Sequence, residues 1–331
     1  MIRWFFGGAV VLVAGFLLIP YFGFNHGKTA AGQEKPVTPF AIDRVLPDVA
    51  EVPFDGARAM GYLESICAIG PRMSGTPGMA KQQELIRKHF EKLGLTVQAQ
   101  EFTAKQNSQK QARPMTNLIV SIHPDKNRRV ILCSHYDTRP IADQERDPRK
   151  WREPFVSAND GGSGVALLME LAQHLKNLKL NVGVDLVFFD GEEFVFEPER
   201  DRYFFGSEHF ATQWKKNKRQ PAYVAAFLFD MIAGRNAKFP IESYSLERYP
   251  ELCQDIWRTA AELGATAFRR QRGERVMDDH LALQNAGIPA LDIIDFDYPH
   301  WHRLSDKPEN CSPEPMLQVA KVLTTWLQRL K

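Results

Sequence analysis

Cysteine is scarce in this chain of 331 residues: Cys67, Cys133, Cys253 and Cys311 stand far apart, and none shares the two-residue spacing of a thiolate zinc knuckle. They are not a zinc site. An exported location permits disulfides without the sequence saying which residues would pair, and Cys133, inside an apolar run, reads as an interior thiol. A charge of one sign is also missing. The 42 Lys and Arg face 40 Asp and Glu for a net charge of +2, and no basic stripe carries interleaved aromatics. That balance argues against nucleic acid as a partner, and a cluster such as Lys215-Lys216-Asn217-Lys218-Arg219 reads as a solvated helix end. No internal repeat is visible, which removes repeat architectures.

Long charge-free apolar runs are absent too, with one exception. After Met1-Ile2-Arg3, the stretch Trp4 to Phe24 carries no charge and has about the ~20 residues of a membrane-spanning helix. Residues 1–25 are therefore expected to form a membrane anchor, through residues 4–24, with Arg3 inside and the rest of the chain outside the cytoplasm. The alternative is a signal segment cleaved near Thr29-Ala30-Ala31, giving a secreted or periplasmic protein. Residues 26–54, rich in Pro, Gly and Lys, read as a linker. Residues 55–331 are enough for one large α/β domain.

The most informative feature is a set of acids at the ends of apolar runs. Val182 to Phe188 reads as a buried strand and leads straight into Phe189-Asp190-Gly191-Glu192-Glu193. Neighbouring residues at a strand end point in different directions, so one acid can hold a metal while the next handles protons. Three further runs end alike. Val130 to Ser134 leads into His135-Tyr136-Asp137, Ala225 to Phe229 into Asp230, and Ile288 to Ile294 by a short loop to His302. Asp160 lies in Asn159-Asp160-Gly161-Gly162, just ahead of the helical run Val165 to Leu175. In an open α/β sheet, ligands gather outside the carboxyl ends of the strands, so these residues converge if the strands are neighbours. Imidazole and carboxylate together suit zinc, and a spare carboxylate beside them suits a general base.

Each residue also has an ordinary explanation: Asp160 as a helix N-cap, Asp230 as the cap of a turn, His135 and His302 as satisfied interior histidines. Elsewhere, helices are expected over Met79 to Leu93, Gly206 to Lys215, Leu252 to Leu263 and Asp279 to Asn285, with a last one starting at Ser312-Pro313-Glu314. Val97 to Phe102 and Asn117 to Ile122 read as strands. The expected fold class is α/β: a single domain with a central mixed, largely parallel twisted sheet flanked by helices.

His135-Tyr136-Asp137, Asn159-Asp160-Gly161, Phe188-Phe189-Asp190-Gly191-Glu192-Glu193, Asp230 and His302, with Gly70-Pro71-Arg72-Met73-Ser74-Gly75 ahead of them, resemble the ordered motifs of the M28 family of zinc aminopeptidases and glutaminyl cyclases. The resemblance covers roughly residues 55–331. Met277-Asp278-Asp279-His280 and Trp301-His302 resemble the glutaminyl-peptide cyclotransferase branch, in which the Trp helps wall the glutamine pocket. Asn159-Asp160-Gly161-Gly162-Ser163-Gly164 is similar to the aminopeptidases. The cyclase resemblance implies one Zn²⁺ on Asp160, Glu193 and His302, with Glu192, Asp230 and Asp278 sharing protons, and peptides or proteins with N-terminal Gln as substrates. The aminopeptidase resemblance implies a second zinc on His135 and Asp230, bridged by Asp160. A catalytically inactive interaction domain is the third reading, and it leaves an intact Glu192 without purpose.

Overall fold

The uninterrupted apolar runs become the centre of a sheet. In the computed structural model, which describes residues 49–331, six strands lie in the order β1 (Val97–Ala104), β2 (Arg113–Ile122), β4 (Gly183–Phe189), β3 (Arg128–His135), β5 (Ala222–Asp230) and β8 (Ala290–Ile294). β1, β2 and β4 pair antiparallel, while β4, β3, β5 and β8 run parallel. Strands covered on both faces are buried at nearly every position and mostly apolar in their central runs, as in β3, β4 and β8. The edge strand β1 instead alternates in exposure.

Strand alternation sorts the core into two layers. Val130 and Leu132 of β3 join a cluster with α1 (Gly56–Cys67), α2 (Pro77–Lys92), α3 (Ser163–Leu175), α6 (Pro250–Glu262) and α8 (Pro313–Arg329). Ile131 and Cys133 face the other way, toward α4 (Phe205–Lys216) and α7 (His280–Ala286). α5 (Ser243–Arg248) and the parallel pair β6 (Phe239–Ile241) and β7 (Phe268–Arg272) complete the named helices and strands. Thr76 and Ser312 cap α2 and α8 by accepting from Met79 N and Glu314 N, each with Pro in the first turn.

The expected helices and strands are all present, most with ends shifted by one to four residues. α1, α5 and the short pair β6 and β7 were not anticipated. Gly56 and Gly61 weaken the helical signal of α1, which forms because Leu63 and Ile66 bury completely and Asp55 caps it by accepting from Arg58 N. The four cysteines are buried free thiols, Cys133 within β3 as expected. The Trp4–Phe24 segment lies outside the described residues, as does most of the expected linker; among the described residues no helix is long and apolar enough to cross a membrane. The described end of the linker lies along α8: Val52 is buried, and Gln328 donates to Ala50 O at 3.0 Å.

Register brings the functional ends together. His135 pairs with Phe189 and Asp230 with Ile294, so the parallel strands finish at one edge. α3 is held tightly over that edge through Gly164, where an added Cβ would lie 2.2 Å from Ser134 Oγ and 2.5 Å from Phe229 O. Gly164→Ala is expected to destabilise the fold by about 1–3 kcal/mol, the usual cost of overpacking. Chemical denaturation measures it, and a change within about 0.5 kcal/mol, as on an open surface, would contradict this close approach.

Candidate metal centre

The acids and imidazoles marked by strand-end position do meet. His135 ends β3, Asp230 ends β5, Glu192 and Glu193 follow β4, and His302 lies in the loop beyond β8. They form two triads with Asp160: Asp160, Glu193 and His302, and His135, Asp160 and Asp230, each with donor atoms within 4.8 Å of one another. Asp160 belongs to both. Its Oδ1 lies 3.1 Å from His135 Nε2 and its Oδ2 3.6 Å from His302 Nε2, the orientation of a bridging carboxylate. His302 Nε2 is 2.6 Å from Glu193 Oε1, and His135 Nε2 is 3.3 Å from Asp230 Oδ1.

The residues fit a cation. Asp160 Oδ2 and Glu193 Oε2 are buried without a hydrogen-bond partner. Such lone pairs are costly to bury unless a donor or cation meets them. Two carboxylates and an imidazole are a donor set that zinc accepts.

The turn Ala158–Gly162 presents Asp160 to both histidines. Asp160 does not cap α3, whose N-cap is Gly162; its extended backbone (φ −78°, ψ 101°) aims the carboxylate across the sheet edge instead. Gly161 must be glycine here, since its φ is +78° and a Cβ would lie 2.7 Å from His135 Cε1. The Asp306 carboxylate accepts from Asn159 N at 2.9 Å and Asp160 N at 3.1 Å. Arg72, fully buried, donates to Val156 O at 2.7 Å and Ser157 O at 3.1 Å, so the Gly-Pro-Arg motif props the turn from behind.

Glu192 and Glu193 are set by one buried acid. Asp137 accepts from both of their backbone N–H groups at 3.1 Å each. Asp190 is tied down separately, accepting from Ser74 Oγ at 2.6 Å and Thr116 N at 2.8 Å. His302 is held in the left-handed region (φ 53°), which costs about 1–2 kcal/mol for a residue with a side chain. Its Nδ1 lies 2.8 Å from Asp143 Oδ1, whose other oxygen takes Arg139 Nη2 at 2.9 Å. With Nδ1–H donating to the Asp143 carboxylate, the Nε2 lone pair is turned toward Asp160 and Glu193. Burial opposes the Asp143 charge, yet the His302 contact and Arg139 hold its carboxyl down at about 2. Burial and Arg139 oppose the His302 charge, yet Glu193 and Asp143 push it up to about 9, and a metal would take the place of that proton.

A second group of acids lacks such donors. Burial, with the Glu193, Asp278 and Asp279 charges, raises Glu192 well above the carboxylate range; the nearest base is His135 Nδ1, 3.8 Å away. Asp278 is raised likewise, by burial and then by Asp230 and Asp279. Asp230 is raised by burial and Asp160 against the pull of His135. Neighbouring carboxyls that cannot all ionise are suited to holding and passing a proton. Trp301 stands beside them, its ring 4.1 Å from that of His302, packed on the cluster of Met231, Val276, Ile294 and Tyr298.

All the expected site residues lie at this edge. Asp137, Arg139, Asp143 and Asp306 received no role from the sequence. Asp137 is two residues beyond His135, a spacing that hinted at it, whereas Asp143 and Asp306 sit in loops that only the tertiary fold brings close.

A parallel sheet edge carrying candidate metal-ligand triads, and a proton-sharing acid group that overlaps them at Asp230 and Glu192 and adds Asp278, defines a metal-dependent α/β enzyme. The chain belongs to peptidase family M28, whose model matches residues 117–327. It is similar in structure to a glutaminyl cyclase from Fimbriiglobus ruber, 52% identical with a TM-score of 0.84, covering 86% of this chain and 98% of that one. A Zn-dependent exopeptidase from Parabacteroides distasonis is 29% identical with a TM-score of 0.77, over 84% and 99% of the two chains. The glutaminyl-peptide cyclotransferase of Bothrops jararaca is 24% identical over 286 residues, 77% of this chain and 76% of its own.

Asp143 orients His302 without reaching the metal position, so Asp143→Ala should weaken metal affinity by about 10 to 100-fold. Competition against a chromophoric chelator measures this. Unchanged affinity would leave the Asp143 contact without a part in metal binding.

Proposed function

We propose that this protein is a zinc-dependent glutaminyl-peptide cyclotransferase, converting N-terminal Gln of peptides to pyroglutamate with release of ammonia. The observation that carries the reading is Asp278, buried beside Asp230 and Glu192, which supplies an acid group separate from the Asp160, Glu193 and His302 triad. The 52% identity to the Fimbriiglobus ruber glutaminyl cyclase supports it. Zinc on that triad would supply Lewis acidity toward the γ-carboxamide of the substrate, its charge balanced by two carboxylates.

The chain's own residues handle the protons. The α-amine of the substrate attacks the γ-carboxamide carbon, a new C–N bond closes the five-membered ring, and the C–NH₂ bond breaks. Glu192 takes a proton from the amine and delivers it to the leaving nitrogen, which departs as ammonia. A carboxyl raised by burial is well matched to that exchange. Asp230 and Asp278 share the proton in transit, and Trp301 walls the pocket. Ring closure is intramolecular, so much of the work is orientation.

The second reading is an M28 aminopeptidase with two zincs, and the triad His135, Asp160 and Asp230 favours it. There Glu192 deprotonates a water, and Asp230 is committed to metal. For the chain as a whole we propose anchoring through residues 4–24 with the domain outside the cytoplasm, on the charge-free run Trp4 to Phe24.

Three outcomes test these proposals. Offered peptides beginning with Gln or with Leu, the purified protein should release ammonia from the first and no free Leu from the second; free Leu without ammonia would replace the cyclase by the peptidase. Asp278→Ala should slow ring closure by about 10² to 10⁴ with one zinc per chain retained, read by elemental analysis beside turnover at saturating metal. Two zincs in the wild type, with the mutant rescued by added zinc, would overturn the assignment. The full chain should stay with membranes through carbonate extraction, and uncleaved chain in the soluble fraction would remove the anchor.

A further inference from the structure

A close-packed protein leaves little space between a helix and the sheet beneath it, yet a cleft of about 470 Å³ opens where the C-terminal half of α4 meets β1 and β2. That is the size of a small-molecule site. It lies away from the metal centre: Arg129, Asp185 and Tyr223, which line it, stand at the beginnings of β3, β4 and β5, whereas the candidate ligands stand at or beyond their ends. From Arg129 to His135 the strand rises about 20 Å.

The charges in the cleft are already matched. Asp185 accepts from Ser121 Oγ at 2.6 Å, from Arg129 Nε at 2.9 Å and Nη2 at 2.7 Å, and from Tyr223 Oη at 2.8 Å. The other Arg129 hydrogen bonds go to the carbonyls of His123, Lys126, Ile122 and Val184. At the rim Asp125 adjoins Lys126. A ligand here meets no unpaired charge, and a charged one would lose its hydration without compensation, so the cleft selects a neutral ligand.

What the cleft offers is carboxamide and aromatic surface. Gln98, Gln213 and Gln220 line it, and their side chains are committed to no partner among the described residues. Each amide both donates and accepts, which matches a pair of neighbouring hydroxyls. Tyr223, Phe210 and Trp214 supply an apolar wall. Lys218 and Arg219 hold left-handed backbone (φ 54° and 57°), a conformation that is costly with a side chain and gathers at functional sites. The chain so turned brings Gln220 back beside Asn217, whose Nδ2 donates to Gln220 O at 3.0 Å. A peptide finds less here. Gln98 and Gln100 of β1, and Ile119 and Ser121 of β2, put the cleft on a face of the sheet, and β2 is paired on both sides, so its floor presents no strand edge to a main chain. We propose that this cleft is a binding site for a neutral saccharide, its ring on the aromatic side chains and its hydroxyls on the carboxamides, independent of the reaction at the metal centre.

Calorimetry on the full chain in detergent tests it, with cellobiose, lactose, mannobiose and chitobiose as probes. At least one should bind with a Kd of about 1 mM or tighter, and Q98A/Q213A, which removes one hydrogen-bonding side chain from β1 and one from α4, should weaken it by about 10-fold at unchanged Tm. If that variant melts lower, Q213E gives the second reading, since it keeps the side chain's size and places a charge in the neutral cleft; it too should weaken binding. No binding of the four sugars at about 10 mM, or an affinity that both variants leave unchanged, would overturn the site. Binding of the peptide Ala-Asn-Ala-Ala in place of the sugars would overturn the saccharide.

Discussion

One carboxylate facing two imidazoles governs the arrangement. Asp160 can reach His135 with one oxygen and His302 with the other only because its backbone is extended between the sheet and α3. That backbone is imposed from outside the site: by Asp306 on two consecutive N–H groups, by Arg72 on the carbonyls just before them, and by Gly161 leaving room for the His135 ring. The parallel strands supply the other ligands at matching heights, but without this turn they would surround an open space. The cost of the left-handed backbone at His302 is borne in the same cause, since it turns that ring back toward Asp160.

Many acids buried in one region would be prohibitive were they all of one kind. They divide by their partners. Asp137, Asp143 and Asp306 are each engaged by two or more donors and act as fixed struts. Asp160 and Glu193 keep lone pairs for a cation. Glu192 and Asp278 have neither a cation nor a full set of donors, and burial raises both. The acids available to reaction are thus those the scaffold leaves incompletely satisfied, and they sit next to the metal triads because the same strand ends carry both.

How much of this the chain discloses before folding follows from the same physics. A strand covered on both faces is mostly apolar, so the polar residues that close its run stand out; that rule marks His135, Asp230 and the Glu192 and Glu193 pair, together with Ser134 and Asp190 beside them. Asp160 needed motif context, because a lone Asp before a helix is also an ordinary cap, a role that here belongs to Gly162. Asp143 and Asp306 carry no local signal at all. Each lies in a loop, and each acts on a residue about 150 positions away, at |i−j| of 159 and 147. α1 was hidden by its glycines, since it is held by Leu63 and Ile66 against the core rather than by propensity.

Asp230 is where two chemistries part. It lies against His135 and beside Asp278, so the pocket formed by His135, Asp160 and Asp230 must gain positive charge to be stable. A second divalent ion would bring two charges. An imidazolium at His135, held by Asp160 and Asp230, together with one proton shared among Asp230, Asp278 and Glu192, brings the same two. The scaffold is therefore balanced electrostatically either by a metal or by a pair of protons, and nothing in the ligand geometry has to change between them. Asp278 tilts the choice: a third carboxyl at that edge gives the shared proton somewhere to reside, whereas a site built only to hold metal gains little from a buried acid behind its ligand. One family fold can in this way be balanced for either of the two proposed reactions by exchanging a metal for mobile protons, with Glu192 the base we propose for both.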